Sequence, residues 1–366
     1  MRVLVSGGGT GGHIYPALAL LDRLKERDML DAALYVGTEH GLEARIVPDH
    51  HVDFKTVDIQ GFSRKLNLAG LKKNVNTVRL FLAAVRRARE IITEFKPDVV
   101  VGTGGYVAGA ALYAAAKMHI PTVIHESNSV AGVTNKFLSH YVDKVAVSFE
   151  DVKSAFPAKK VVLTGNPRAQ QVAGLQPNDR LTDFGLDPKK RTLLIFGGSR
   201  GAPRLNSAVL AGLPTFASGD YQVLFATGRR HYDTVMHDAG DLPANVAIVP
   251  YIDHMELVLP DVSLLVSRSG ATSLAEMTAL GLPAVLIPSP NVTHNHQYMN
   301  AKSLEHSGAA VVITEEDLAS KFTNTVHELM NDEQKLSKMA ADSKRLGVPD
   351  ATDQLIRVMG EAMKGE

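Results

Sequence analysis

The chain has 366 residues, 45% of them hydrophobic and 21% charged, the proportions of a globular protein long enough for two domains. Its 39 basic residues balance 39 acidic ones, so no overall positive field points to a nucleic-acid partner. Cysteine is absent, which excludes disulfides, thiolate-held metals and thiol nucleophiles and suits a reducing compartment.

The apolar start, MRVLV, breaks straight into glycine and is too short for a signal-peptide core or a membrane span, so the sequence reads as cytoplasmic. Short Val/Ile/Leu runs then alternate with amphipathic helical stretches, the pattern of doubly wound parallel sheets. Strands are expected at 3–6, 33–36, 99–101, 122–125 and 145–147, and the alternation restarts at 192–196, 222–226, 246–249, 262–266 and 284–287. The break lies within 163–191, where TGNPRAQQV leads into the polar QPNDRLTDFGLDPKKR. Two Rossmann-like domains, 1–164 and 165–349, are therefore expected, followed by a C-terminal helix within 350–366 that can pack back on the first.

Four strands run into glycine-rich turns before a helix: SGGGTGGH at 6–13, GTGGYVAG at 102–109, GGSRGAPRLN at 197–206 and SRSGATSLAE at 267–276. Glycine lets backbone N–H groups approach a ligand, and a helix N-terminus favours an anion, so such turns suit phosphate or a polar ring as well as plain tight connections. Gly7, Gly9 and Gly12 satisfy G-x-G-x-x-G, but a nicotinamide site also needs an acidic residue after the second strand, where this chain has Gly37 and Thr38. A phosphate-binding lysine loop fails as well, with His13 and Ile14 where Lys and Ser/Thr belong. At a helix N-terminus His13 is favoured as the neutral imidazole, able to accept a proton; a ring bonded to nearby backbone is the competing reading.

The ordered set GGTGGH (8–13), GTGGYVAG, HESN (125–128), TNK (134–136), TGNPR (164–168), GGSRGA, SRSGATSLAE, GLPAVLIP (281–288) and HNHQYMNA (294–301) resembles the MurG family of bacterial peptidoglycan N-acetylglucosaminyltransferases. The resemblance implies a GT-B fold, α/β with two Rossmann-like domains facing across a cleft, the second holding UDP-GlcNAc and the first the acceptor lipid. It implies an inverting transfer of GlcNAc to the muramyl 4-hydroxyl of lipid I, giving lipid II, with no cofactor. The chain has no D-x-D triplet to hold a metal against the diphosphate, and helix N-terminal amides can stabilise the leaving group without one. A UDP-GlcNAc 2-epimerase of the same fold, a nicotinamide oxidoreductase and a non-catalytic nucleotide-binding module are the alternatives.

By the same resemblance Thr10, Gly11, Gly12 and Asn128 contact the donor, Tyr106 and Asn135 sit at matching substrate positions, and Ser199 reaches the diphosphate. Ile252 meets the uracil through its backbone, and Ala271, Thr272, Ser273, Leu274, Ala275 and Glu276 form the turn and helix start at the nucleotide. Glu276 accepts from the ribose, although Ser273-x-x-Glu276 is also a capping-box pattern. Gln297 lies near the donor sugar. Arg168 stands one residue earlier than the linker arginine of some family members, and Ser127 replaces a Gln found in some members and is left outside the site. His13 and Glu126 are the two candidate general bases, with His13 preferred because an imidazole needs less tuning near neutral pH.

Residues 64–89 hold eight Lys/Arg and no Asp or Glu, with Leu68, Leu71, Val75, Val78 and Leu82 at helical spacing. This suits peripheral binding to an anionic membrane surface, with part of the stripe packing on the sheet. The expected location is the cytoplasmic face of the membrane, with cell-wall or division proteins as further partners and no nucleic acid.

Overall fold

The computed structural model describes residues 1–61, 68–198, 201–292 and 295–365, with 68–76 as backbone alone. The chain divides into two units, Met1–Arg168 with Asp350–Glu366, and Ala169–Pro349.

In the first unit seven strands, β1 (Arg2–Gly7), β2 (Ala32–Gly37), β3 (Asp53–Thr56), β4 (Val99–Gly104), β5 (Thr122–Glu126), β6 (Lys144–Val147) and β7 (Val161–Leu163), form a parallel sheet in the order β3-β2-β1-β4-β5-β6-β7. The helices are α1 (Gly11–Glu26), α2 (Glu43–Asp49), α3 (Leu68–Phe95), α4 (Tyr106–Lys117) and α5 (Val133–Leu138). Because side chains alternate along a strand and both faces are covered, the strands read as unbroken apolar runs. Leu4, Val100 and Ile124 join the core beneath α3 and α4, while Val3, Val5, Val101 and Val123 join the core beneath α1. On α3 the packed positions are Ala84, Val85, Ala88, Ile91 and Ile92, a helical stripe.

The second unit starts within α6 (Arg168–Ala173). Its parallel sheet has β8 (Thr192–Phe196), β9 (Gln222–Ala226), β10 (Val246–Val249), β11 (Leu264–Ser267), β12 (Ala284–Leu286) and β13 (Ala310–Val312), in the order β10-β9-β8-β11-β12-β13. It is flanked by α7 (Pro203–Ala217), α8 (Tyr232–Ala239), α9 (Met255–Val258), α10 (Ala271–Leu280), α11 (His296–His306), α12 (Leu318–Asn331) and α13 (Glu333–Leu346). Ile195, Phe225 and Val266 pack with Leu205, Phe216, Phe322 and Val326, and the Phe216 and Phe322 rings meet edge to face at 6.1 Å.

Strand order reverses between β1 and β4 in one sheet and between β8 and β11 in the other. The four glycine-rich turns read from the sequence follow those four strands, where open parallel sheets bind ligands. The strands that the sequence does not predict, β3, β7 and β13, all lie at sheet edges and are three or four residues long. β3 is exposed at three of its four positions and so has no apolar run to read.

The last helix, α14 (Ala351–Lys364), belongs to the first unit. Leu355, Ile356, Val358, Met359 and Ala362 enter the core under α1. Arg23 grips Asp353 through two bonds of 2.9 and 2.8 Å, Lys144 meets Glu361 at 3.0 Å, and Thr352 Oγ1 donates to Pro167 O at 2.9 Å. Leu355→Ala should therefore cost about 2–5 kcal/mol in denaturant melts, whereas Arg357→Ala, at an exposed position of the same helix, should cost under about 0.5 kcal/mol.

Candidate functional site

In the first unit β1 ends in Gly7 and α1 begins at Gly11, with Thr10 as an extended N-cap whose side chain makes no capping bond. By helix geometry the first-turn amides of Gly11 and Gly12 have no partner within α1, and both residues are part-exposed. The His13 ring lies with Nδ1 2.8 Å from Gly8 O. A carbonyl only accepts, so Nδ1 carries the proton and Nε2 presents its lone pair. The ring also packs against Gly104, where φ is +111° and a Cβ would press into the imidazole. Thr103 Oγ1 donates to His13 O at 2.6 Å, and Gly8 N–H donates to Gly104 O at 3.2 Å, so the turns after β1 and β4 interlock. Tyr106, the first residue of α4, is exposed beside them.

Glu126 ends β5 and is buried. Its Oε2 accepts from Gly132 N–H at 2.8 Å and Asn135 Nδ2 at 2.9 Å, and its Oε1 accepts from Asn128 N–H at 3.1 Å and Asn128 Nδ2 at 3.4 Å. Asn135 Nδ2 also donates to His125 O at 3.2 Å. The structure thus brings Glu126, Asn128 and Asn135 together as a brace for the loop after β5. His125, wholly buried, donates from Nε2 to Gly165 O at 2.9 Å. Burial, opposed by that bond, pushes its pKa below the ordinary histidine value. Arg168 places its guanidinium 5.8 Å from the Tyr15 ring centre, and its backbone N–H donates to Asn166 Oδ1 at 3.1 Å.

In the second unit α10 begins at Ala271 with Gly270 as N-cap. Ser273 is therefore the third residue inside the helix, and the capping-box reading of Ser273 and Glu276 is corrected: the helix starts three residues too early for it. Ala271 and Leu274 turn their side chains into the core, and Leu274 N–H donates to Gly270 O at 3.0 Å, while Thr272, Ser273 and Ala275 are part-exposed and Glu276 is buried. The turn is held from behind. Ser269 Oγ donates to Gln297 O at 2.8 Å, Asn300 Nδ2 to Ser269 O at 3.2 Å, and Ser289 N–H to Gln297 Oε1 at 2.9 Å. Arg268 donates to Ile287 O at 3.1 Å and forms an ion pair with Glu315. Ile252 is buried just after β10. Ser199 lies outside the described residues. A cavity of about 210 Å³ opens among Arg204, Pro288, Asn295, Tyr298 and Glu316, and among the described residues none of those predicted from sequence lines it.

Glu43 is the largest omission of the sequence reading. It lies where α2 starts, is 1% exposed, and accepts from Gly9 N–H at 3.0 Å, Thr38 N–H at 3.1 Å and Thr38 Oγ1 at 2.7 Å. Burial alone would raise its pKa, but these bonds hold it below the ordinary carboxylate value. The only sequence signal is the glycine-bounded GTEHGLE after β2.

Of the five stripe residues on α3, two side chains are described. Val78 and Leu82 face outward, 49% and 62% exposed, rather than packing on the sheet; Leu68, Leu71 and Val75 have side chains outside the described residues, as does the whole of 62–67. Near this face Phe81, Tyr113, Phe137 and Tyr141 form a ring cluster with centroids 5.0–6.3 Å apart, and the Lys117 ammonium sits 5.1 Å from the Tyr141 ring centre. No helix among the described residues is long and apolar enough to cross a membrane.

Residues 3–147 match the glycosyltransferase family 28 N-terminal domain and 192–355 the family 28 C-terminal domain. A Lacticaseibacillus casei protein named UDP-N-acetylglucosamine–N-acetylmuramyl-(pentapeptide) pyrophosphoryl-undecaprenol N-acetylglucosamine transferase is 64% identical over 98% of each chain. The crystal structure of Acinetobacter baumannii MurG, 29% identical, aligns at a TM-score of 0.77 over 98% of this chain and 99% of its own. A UDP-GlcNAc 2-epimerase from Neisseria meningitidis reaches 0.68 at 15% identity over 99% and 100% of the two chains, a likeness of fold alone.

Neutral His125 contributes stability that is complete above the ordinary histidine pKa and is lost as pH falls through about 6.5 and below, because the folded state resists the proton. The urea midpoint should fall over that range, and fall less in His125→Gln.

Proposed function

This chain belongs to the MurG family of glycosyltransferases, and from that premise we propose that it transfers GlcNAc from UDP-GlcNAc to the muramyl 4-hydroxyl of undecaprenyl-pyrophosphoryl-MurNAc-pentapeptide, lipid I, to give lipid II. The fold is the α/β GT-B class of two Rossmann-like domains. The observation that carries the mechanism is the His13 ring, oriented by Gly8 O so that Nε2 is the basic nitrogen. As the 4-hydroxyl oxygen bonds to the anomeric carbon, its proton passes to Nε2. The bond from that carbon to the diphosphate oxygen breaks, and UDP leaves with the electron pair and with inversion. Glu126 suits this role less, because four hydrogen bonds already engage its carboxylate; we assign it, with Asn128 and Asn135, to bracing the loop after β5.

In this reading the first-turn amides of α10, backed by Ser269, Asn300 and Gln297, hold the donor's charge, and Glu276 accepts from the ribose. Ile252 backbone takes the uracil, and Ser199 and Arg168 the diphosphate. Thr10, Gly11, Gly12 and Tyr106 serve substrate binding from the first unit.

The same reading places the enzyme at the cytoplasmic face of the membrane, where a nucleotide sugar meets a lipid-borne acceptor. Exposed Val78 and Leu82, the ring cluster and the basic residues of 64–89 support peripheral docking on anionic lipid.

Incubation with labelled UDP-GlcNAc and a lipid I analogue should yield a disaccharide lipid; conversion of UDP-GlcNAc to its 2-epimer without transfer would refute the reading. His13→Ala should lower kcat by about 10²–10⁴ while UDP-GlcNAc binding changes little, and near-normal turnover would remove His13 as the base. Lys72→Glu with Lys73→Glu should weaken binding to anionic vesicles about tenfold or more at low salt, each basic residue being worth about 1 kcal/mol; binding unaffected by charge reversal and by salt would exclude the electrostatic docking.

A further inference from the structure

We propose that Glu43 is a positioning residue for His13, acting through the single peptide group between Gly8 and Gly9. The proposal rests on reading His13 as the base. Glu43 Oε2 accepts from Gly9 N–H at 3.0 Å, and Gly8 O lies 2.8 Å from His13 Nδ1. That N–H and that carbonyl belong to one peptide plane, and in a trans peptide they point in opposite directions. Carboxylate, peptide and imidazole therefore form one hydrogen-bonded chain. Peptide resonance places positive charge on the nitrogen and negative charge on the oxygen, so a carboxylate at the N–H end makes the carbonyl a stronger acceptor. The stronger acceptor holds the proton on Nδ1 and stabilises the imidazolium formed when Nε2 takes the acceptor's proton. A buried carboxylate bonded directly to histidine plays the same part in hydrolase triads.

The surroundings are built around this carboxylate. A Cβ on Gly8, Gly37 or Gly41 would collide with the Glu43 side chain, so three glycines from two segments leave it room. The other titratable groups facing the chain are Tyr35, whose hydroxyl donates to Gly7 O at 2.8 Å, and His125 on β5, which couples electrostatically to His13. Burial raises the Tyr35 pKa and, against the Gly165 bond and the neighbouring Glu126, lowers that of His125, while the bonds from Gly9 and Thr38 hold Glu43 below the ordinary carboxylate value.

In the full-length enzyme Glu43→Gln should lower kcat roughly tenfold, with the UDP-GlcNAc KM changed less than about twofold. The acidic limb of the kcat–pH profile should move to lower pH, because proton uptake on the ring loses its stabilising charge. In a His13→Ala background the same substitution should cost no more than about twofold. Unchanged kcat and pH profile, or a full tenfold loss without His13, overturns the proposal while leaving the base assignment standing. Nitrogen-15 NMR of His13 in the wild-type enzyme above the histidine range gives a readout free of activity and of variant folding. The Nδ1–H tautomer is expected, shifting towards Nε2–H in Glu43→Gln, and a wild-type Nε2–H tautomer overturns the proposal whether or not His13→Ala abolishes turnover.

Discussion

The backbone of Gly8 and Gly9 is held from three directions, and the geometry at the end of β1 depends on it. Gly8 N–H is engaged by Gly104 O, Gly8 O by the His13 ring, and Gly9 N–H by Glu43. These partners come from the turn after β4, from α1 and from α2. A shift of the loop would therefore leave polar groups unsatisfied on three elements at once, at about 1–3 kcal/mol for each buried group. The glycines serve close approach as much as flexibility. At Gly105, with φ +84°, a Cβ would run into the Gly8 backbone, and at Gly104 it would run into the imidazole.

The second unit solves the same problem at β11 with side chains. Ser269, Asn300 and Gln297 tie the turn before α10 to the start of α11, and Arg268 ties it to the ends of β12 and β13. Both units place a helix N-terminus at the reversal of strand order.

The helices around the first sheet divide between packing and display. α14 closes the face beneath α1 with five apolar side chains and three ion pairs. α3 buries Ala84, Val85, Ala88, Ile91 and Ile92 and turns Val78 and Leu82 outward. Its apolar residues thus form two stripes, and only one finds a partner within the described residues.

Sequence by itself determined the parallel alternation, the restart after residue 190, the glycine turns and the position of His13. These are local properties: a strand covered on both faces must be apolar throughout, and a tight strand-to-helix turn must carry glycine. It also singled out Glu126, Asn128 and Asn135, though not their mutual bonds. Only the tertiary structure decided the edge strands β3, β7 and β13, the start of α10 at Ala271, the outward face of Val78 and Leu82, and the bond from Glu43 to Gly9. Each depends on neighbours brought together by folding. A carboxylate 34 residues from its amide partner leaves no spacing in the chain to reveal the contact.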